Sequence, residues 1–275
     1  MIRFLESARP VYVNPLPQLK SRQCYFPSLI ELEDGALLAS FTIGEAMESV
    51  DCLTHLSRSE DGGRTWSRPW PIFPEFRGIP RSETLKITAL GGSRIAALGY
   101  AFDRPDPSLP VGNPETGGLL DDMVFWAVSE DAGRTWSEPG DIQCAWGPHV
   151  EASAPLTVLQ DGSWIAPITG FPAWDGTMRA RNCGRVIRSF DLGKTWNDET
   201  VCMAFPGDRI TCYEQRLCQL ASGAIVVIGW NENPEGGRLL PNHFTASFDN
   251  GLTFAAPRST GIGGQTASVC ALGGE

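Results

Sequence analysis

The chain has 275 residues, 42% of them hydrophobic and 20% charged, with nine Trp, thirteen Phe and a formal net charge of −10. That much aromatic material excludes a solvated, disordered chain, and no run approaches the roughly 18 apolar residues of a membrane helix. The acidic surplus argues against a nucleic-acid partner, and the length suits one large all-β domain or two small domains.

The N-terminus reads MIRFLESARPVYVN. Glu6 and Arg9 interrupt it and no apolar core of a signal peptide follows, so a cytoplasmic location is expected. Eight cysteines fall at 24, 52, 144, 183, 202, 212, 218 and 270, without a C-x-x-C pair. They are expected to be free thiols packed in β-structure.

In chain order, apolar stretches broken by a Gly-bearing turn come first: residues 29–41, 87–100, 156–169 and 217–230. Each reads as a β-hairpin, with a Leu just before the turn at 32, 90, 159 and 220. A fifth copy begins at Ser268, with its Leu at 272. Downstream of each full hairpin lies a second repeat, S-x-D-x-G-x-T-[W/F], at 59–66, 129–136, 189–196 and 247–254. Successive boxes are spaced by 70, 60 and 58 residues, and a Pro/Gly-rich acidic insertion at 103–122 accounts for the longest interval. An insertion of that length suits either a lid or a surface loop.

The box has the chemistry of a turn. Its Asp accepts backbone N–H bonds, its Gly takes a positive φ, and its Ser and Thr hydroxyls tie the ends. Each box has only one carboxylate at a regular position, which is too few oxygens for a Ca²⁺ cage. The closing Trp or Phe is expected as a plug between neighbouring repeats. Hairpin, third strand, boxed turn and fourth strand make a four-stranded unit of about 60 residues, the size of a propeller blade. The predicted fold is therefore an all-β propeller, with blades near 20–75, 76–142, 143–203 and 204–260 and a fifth beginning at 261–275.

These boxes resemble the Asp-box, or BNR, repeats of the sialidase superfamily, from about residue 20 onward. The resemblance implies a six-bladed propeller, of which about four blades are present, and a carbohydrate-active protein without a cofactor. It implies three arginines holding a sugar carboxylate, a Tyr nucleophile activated by a Glu, and an Asp acid/base. The family's first Arg position falls on Tyr25, beside the matching Pro27. The family Glu falls on Glu214, and a second Arg position falls on Trp230. The acid/base position falls in the loop 44–51, where Glu45, Glu48 and Asp51 are all candidates.

Propeller sites form where the inner strands begin. Besides Tyr25 and Trp230, those starts carry Arg81 and Glu83, then His149 and Glu151, then Tyr213, Glu214 and Arg216. A ring of carboxylates with cations between them meets the minimum for glycoside hydrolysis, one acid and one nucleophile or base. Bidentate cations suit a sugar carboxylate, whereas Tyr and Trp suit a neutral or differently charged sugar. The expectation is a glycoside hydrolase whose glycan is not sialic acid. The alternatives are a non-catalytic glycan-binding propeller stacking sugars on Tyr25, Trp174 and Trp230, or an inactive fragment of a longer enzyme. His55 is expected to be structural, and no spacing of His, Cys or carboxylates fits a metal.

Overall fold

A computed structural model describes residues 9–15, 22–74, 80–145, 147–178, 181–233 and 238–272. Among them the regular structure is almost entirely strand, arranged as four antiparallel sheets that follow one another along the chain.

Blade 1 contains β1 (Gln23–Glu31), β2 (Leu37–Gly44), β3 (Leu53–Ser59) and β4 (Trp70–Pro71). Blade 2 contains β5 (Arg81–Gly91), β6 (Arg94–Asp103), β7 (Asp122–Ser129) and β8 (Gly140–Ile142). In blade 3 the inner edge is split into β9 (Val150–Glu151) and β10 (Thr157–Val158), both pairing β11 (Trp164–Gly170), followed by β12 (Gly184–Ser189) and β13 (Asn197–Met203). Blade 4 contains β14 (Thr211–Gln219), β15 (Ile225–Asn233), β16 (Arg238–Ser247) and β17 (Arg258–Ser259). This is the predicted propeller, with each expected hairpin forming the two inner strands of a blade.

The core lies between blades. Leu38, Leu56 and Phe73 of blade 1 pack on Leu85, Ile95 and Phe125 of blade 2. Leu98 and Val124 pack on Trp164 and Ile168 of blade 3, and Ile165 and Met203 pack on Ile225 and Val227 of blade 4. The strands β6 and β11 are consequently buried on both faces along nearly their whole length, whereas β15 alternates buried and half-buried positions. A strand covered on both sides reads as a continuous apolar run, which is why the hairpins show little alternation.

The boxes fold as their chemistry requires. In the second, Ser129 Oγ donates to Asp131 Oδ1 at 2.8 Å, Thr135 N–H donates to the same oxygen at 2.8 Å, and Thr135 Oγ1 donates to Oδ2 at 2.6 Å. Gly133 N–H closes the turn on Ser129 Oγ. These donors hold the Asp131 carboxyl at about 2, led by the Thr135 hydroxyl. Trp136, Trp196 and Phe254 pack into the inter-blade clusters as expected. Trp66 differs: it packs on Phe41 and Ile43 together with Val11 and Tyr12, so the N-terminal segment covers the flank of blade 1.

The insertion at 103–122 is tied down across two blades. Asn113 Nδ2 and Thr116 Oγ1 both donate to Trp174 O, and Leu119 N–H donates to Pro172 O. The eight cysteines are free thiols, as expected, and four of them are buried. After Ser259 no described residue is in a strand. The expected fifth hairpin is not formed over its described residues, 268–272.

Candidate functional site

The inner strands start with irregular backbone at matching places. β1 slips register between Tyr25 and Ser28, and β14 slips between Tyr213 and Arg216. The bulged residues are Phe26 (φ 54°) and Glu214 (φ 43°), each six before the Leu of its hairpin. A left-handed conformation at a non-glycine costs about 1–2 kcal/mol, and such strain gathers where side chains must be re-aimed.

Glu214 is the centre of the arrangement. Its Oε2 accepts Trp230 Nε1–H at 2.7 Å and Thr266 Oγ1–H at 2.6 Å. Its backbone N–H, turned by the bulge, donates to both oxygens of Glu151 at 3.0 and 3.1 Å. Ser153 Oγ donates to Glu151 Oε1 at 2.6 Å. Glu151 is buried, and burial pushes its carboxyl up to about 7; the Ser153 and Glu214 donors act in the opposite sense, and the neighbouring Glu214 charge adds to the rise. Arg216 Nη1 donates to Ser153 Oγ and to the Glu214 and Gln215 carbonyls.

Across from Arg216 stands Lys86, which occupies the same place in its own repeat, four before the hairpin Leu. It is 5% exposed, and its Nζ donates to Phe26 O at 2.5 Å. Burial first, and Arg216 second, bring its ammonium down to about 7. Tyr100 lies among the carboxylates. Its phenol is pushed well up, by burial and then by the charges of Glu151, Glu48, Asp122 and Glu214. Tyr213 and Trp230 stack with ring centroids 4.6 Å apart and planes tilted by 33°. Tyr25 is half-buried at the start of β1, 6.1 Å from the Phe26 ring centroid.

Of the residues read from sequence, the structure thus gathers Glu151, Tyr213, Glu214, Arg216 and Trp230. It separates others. Arg81 and Glu83 are buried between blades 1 and 2 at 4% and 3% exposure. Arg81 Nε meets Glu83 Oε2 at 2.9 Å, and Glu83 Oε1 accepts Thr54 N–H at 2.9 Å, so the pair staples the blades together. Asp51 is engaged within its loop by Arg22, Ser49 and the Glu45 N–H. Burial alone would raise its carboxyl, but these partners outweigh it and hold it below the usual range. Glu48 (φ 58°) lines a small cavity with Tyr100, Glu83 and Thr84, and burial raises its carboxyl against the pull of Arg104. His149 (φ 80°) is 3% exposed, with Nε2 3.2 Å from Asp121 Oδ1.

Sequence reasoning missed Lys86, Tyr100, Ser153 and Thr266. Lys86 and Ser153 were accessible from the repeat, because counting back from each hairpin Leu aligns Lys86 with Arg216 and Ser153 with Glu214. Tyr100 carries no such signal: it ends an apolar run and reads as core. Among the described residues no cluster of His, Cys, Asp and Glu is placed to hold a metal.

No family model matches the chain. A sialidase of Bacteroides fragilis (strain YCH46) is 26% identical over 239 residues, which is 77% of this chain. The chain spans 40% of the length of that curated relative. Among solved structures, a protein of unknown function from Dyadobacter fermentans superposes with a TM-score of 0.66 at 19% identity, over 89% of this chain and 71% of that one. The Hadza microbial sialidase Hz136 superposes with a TM-score of 0.62 at 18% identity, over 84% of this chain and 45% of that one. With the Asp boxes closing the third strand of every blade, these likenesses in sequence and in fold agree: the chain is similar in sequence to a sialidase and shares the β-propeller fold of sialidases.

Proposed function

We propose that this protein is a glycoside hydrolase acting on a glycan other than sialic acid. The observation that carries the reading is the setting of Glu214, whose carboxylate is fixed by two donors while its backbone is fixed by the buried Glu151. Glu214 serves as nucleophile or base. Glu48 is the favoured acid, because it is the carboxyl of the 44–51 loop that burial biases toward the protonated form. Two positions that the family fills with Arg are Tyr25 and Trp230. The Trp230 N–H is engaged by Glu214, so the residue offers a sugar its ring face, which suits a neutral pyranose.

The test is turnover of a panel of aryl glycosides and polysaccharides by the wild type and by Glu214→Gln. Release of product by the wild type, lost by at least ~100-fold in a variant with unchanged melting, supports the reading. Absence of turnover across the panel overturns it. Glycan binding without turnover replaces it with a glycan-binding propeller, a reading favoured by the Tyr213–Trp230 stack.

A further inference from the structure

A groove of about 320 Å³ opens between the 103–122 insertion and the loop that carries Trp174. Its lining includes Asp103, Asp106, Asp121, Asp122, Met123 and Trp174, and no Lys or Arg lines it among the described residues. The groove is preformed. Arg104, 3% exposed, ties the base of the insertion to Glu48 O, Ser82 Oγ and Leu109 O, and the far side is bonded to Trp174 O. Asp106 accepts Ser108 N–H and Oγ–H, and those donors keep its carboxyl ionised below the usual range.

Two polar side chains at the groove each keep a sealed atom without a hydrogen bond. Asp122 gives Oδ1 to the N–H groups of His149 and Val150, while its sealed Oδ2 accepts nothing. His149 is 3% exposed; its Nδ1 has no hydrogen bond, and its Nε2 stands 3.2 Å from Asp121 Oδ1 on the groove wall.

We infer that this groove is a binding subsite for a sugar carrying a protonated amine, with Trp174 stacking on the ring and the carboxylates of Asp103, Asp106 and Asp121 receiving the ammonium. An aromatic face beside uncompensated carboxylates attracts an ammonium and repels an acidic sugar. The choice of a sugar rests on the proposed glycan activity, but the binding does not require turnover.

The experiment is calorimetric titration of the full chain, in wild-type and Glu214→Gln forms, with a glucosamine trimer, its N-acetylated counterpart, a glucuronate-bearing trisaccharide and spermidine. The expected result is binding of the free-amine trimer at least tenfold tighter than the N-acetylated one, and no binding of the acidic sugar. Asp103→Asn/Asp106→Asn, which keeps the shape of the loop, then loses at least tenfold for the amine, and Trp174→Ala weakens both neutral and amino sugars. Equal affinity for the two trimers, no binding of the amine, or amine binding indifferent to Asp103→Asn/Asp106→Asn overturns the inference. So does spermidine binding as tightly as the sugar. Because Glu214→Gln binds without turning over, a failed hydrolase reading and a failed subsite give different results.

Discussion

Thr266 and Glu214 meet side chain to side chain, Oγ1–H to Oε2 at 2.6 Å, and they are the same residue of successive repeats. Each stands six before a hairpin Leu, and each has a left-handed backbone, φ 58° and 43°. Cys270 likewise lies within electrostatic reach of Cys218, and each of these stands two before its Leu. The segment from Thr266 thus runs beside β14 in register with it, although it forms no ladder.

That contact makes Thr266 a positioning residue for Glu214. Thr266→Val keeps the branched shape and removes the donor. A hydrogen bond to a charged group is worth about 1.5–3 kcal/mol, so turnover of any aryl glycoside cleaved by the wild type should fall by roughly 10- to 100-fold. Thr266→Ser should recover most of it. Equal rates in the Val and Ser variants would show that the hydroxyl has no part in positioning Glu214.

Glu151 gives a stability signature with a definite sign. Its folded carboxyl is pushed up to about 7, above the unfolded value of about 4.3. Its contribution is therefore complete below about pH 4 and is lost as pH rises toward 7. The wild type should lose melting temperature between pH 4.5 and 7, and Glu151→Gln should show a shallower slope over that window. The Asp boxes do not confuse the comparison: their carboxyls are lowered, so their contribution is present above about pH 4 and declines only in stronger acid. Parallel slopes for variant and wild type would remove Glu151 from the account.

The Arg81–Glu83 pair should behave as a buried staple. Removing one partner breaks an ion pair at 4% or less exposure, which costs about 3–5 kcal/mol. Chemical denaturation of Arg81→Met and Glu83→Leu should show losses of that order. The double variant should be more stable than the sum of the two losses predicts, since the pair is broken only once. Additive losses would mean that the two residues do not interact.

The propeller was legible because its evidence is periodic. The four boxes fix four turns, and the Gly-bearing hairpins fix the inner strands between them. The cluster around Glu214 was legible only in blades 3 and 4, where Glu151, Glu214 and Arg216 stand at strand starts. Arg81 and Glu83 have the same sequence signature, but β5 runs straight where β1 and β14 bulge, and its first residues are sealed against blade 1 rather than turned to the axis. Asp51 reads like a free carboxylate, yet Arg22 lies 29 positions away in sequence and claims it. Such pairings depend on how loops close in space, which no local pattern records.

The box glycines separate backbone strain from packing. Gly63 and Gly193 hold the same place in the first and third boxes, with φ +84° and +89°. A Cβ at Gly63 would lie 3.6 Å from Leu37 Cδ1, an ordinary contact, whereas a Cβ at Gly193 would lie 2.6–2.7 Å from the Trp126 ring. Trp126 cannot easily retreat, because it packs edge-on against Trp164 and Trp196 with centroids 5.8 and 6.2 Å away. Both Ala substitutions incur the left-handed penalty of about 1–2 kcal/mol. Only Gly193→Ala adds overpacking, worth a further ~1–3 kcal/mol. Denaturant midpoints should therefore fall further for Gly193→Ala than for Gly63→Ala, and Trp126→Leu should narrow the gap by opening space beside the turn. Equal losses at the two glycines would mean that Trp126 is not held between blades 2 and 3 as tightly as these contacts require.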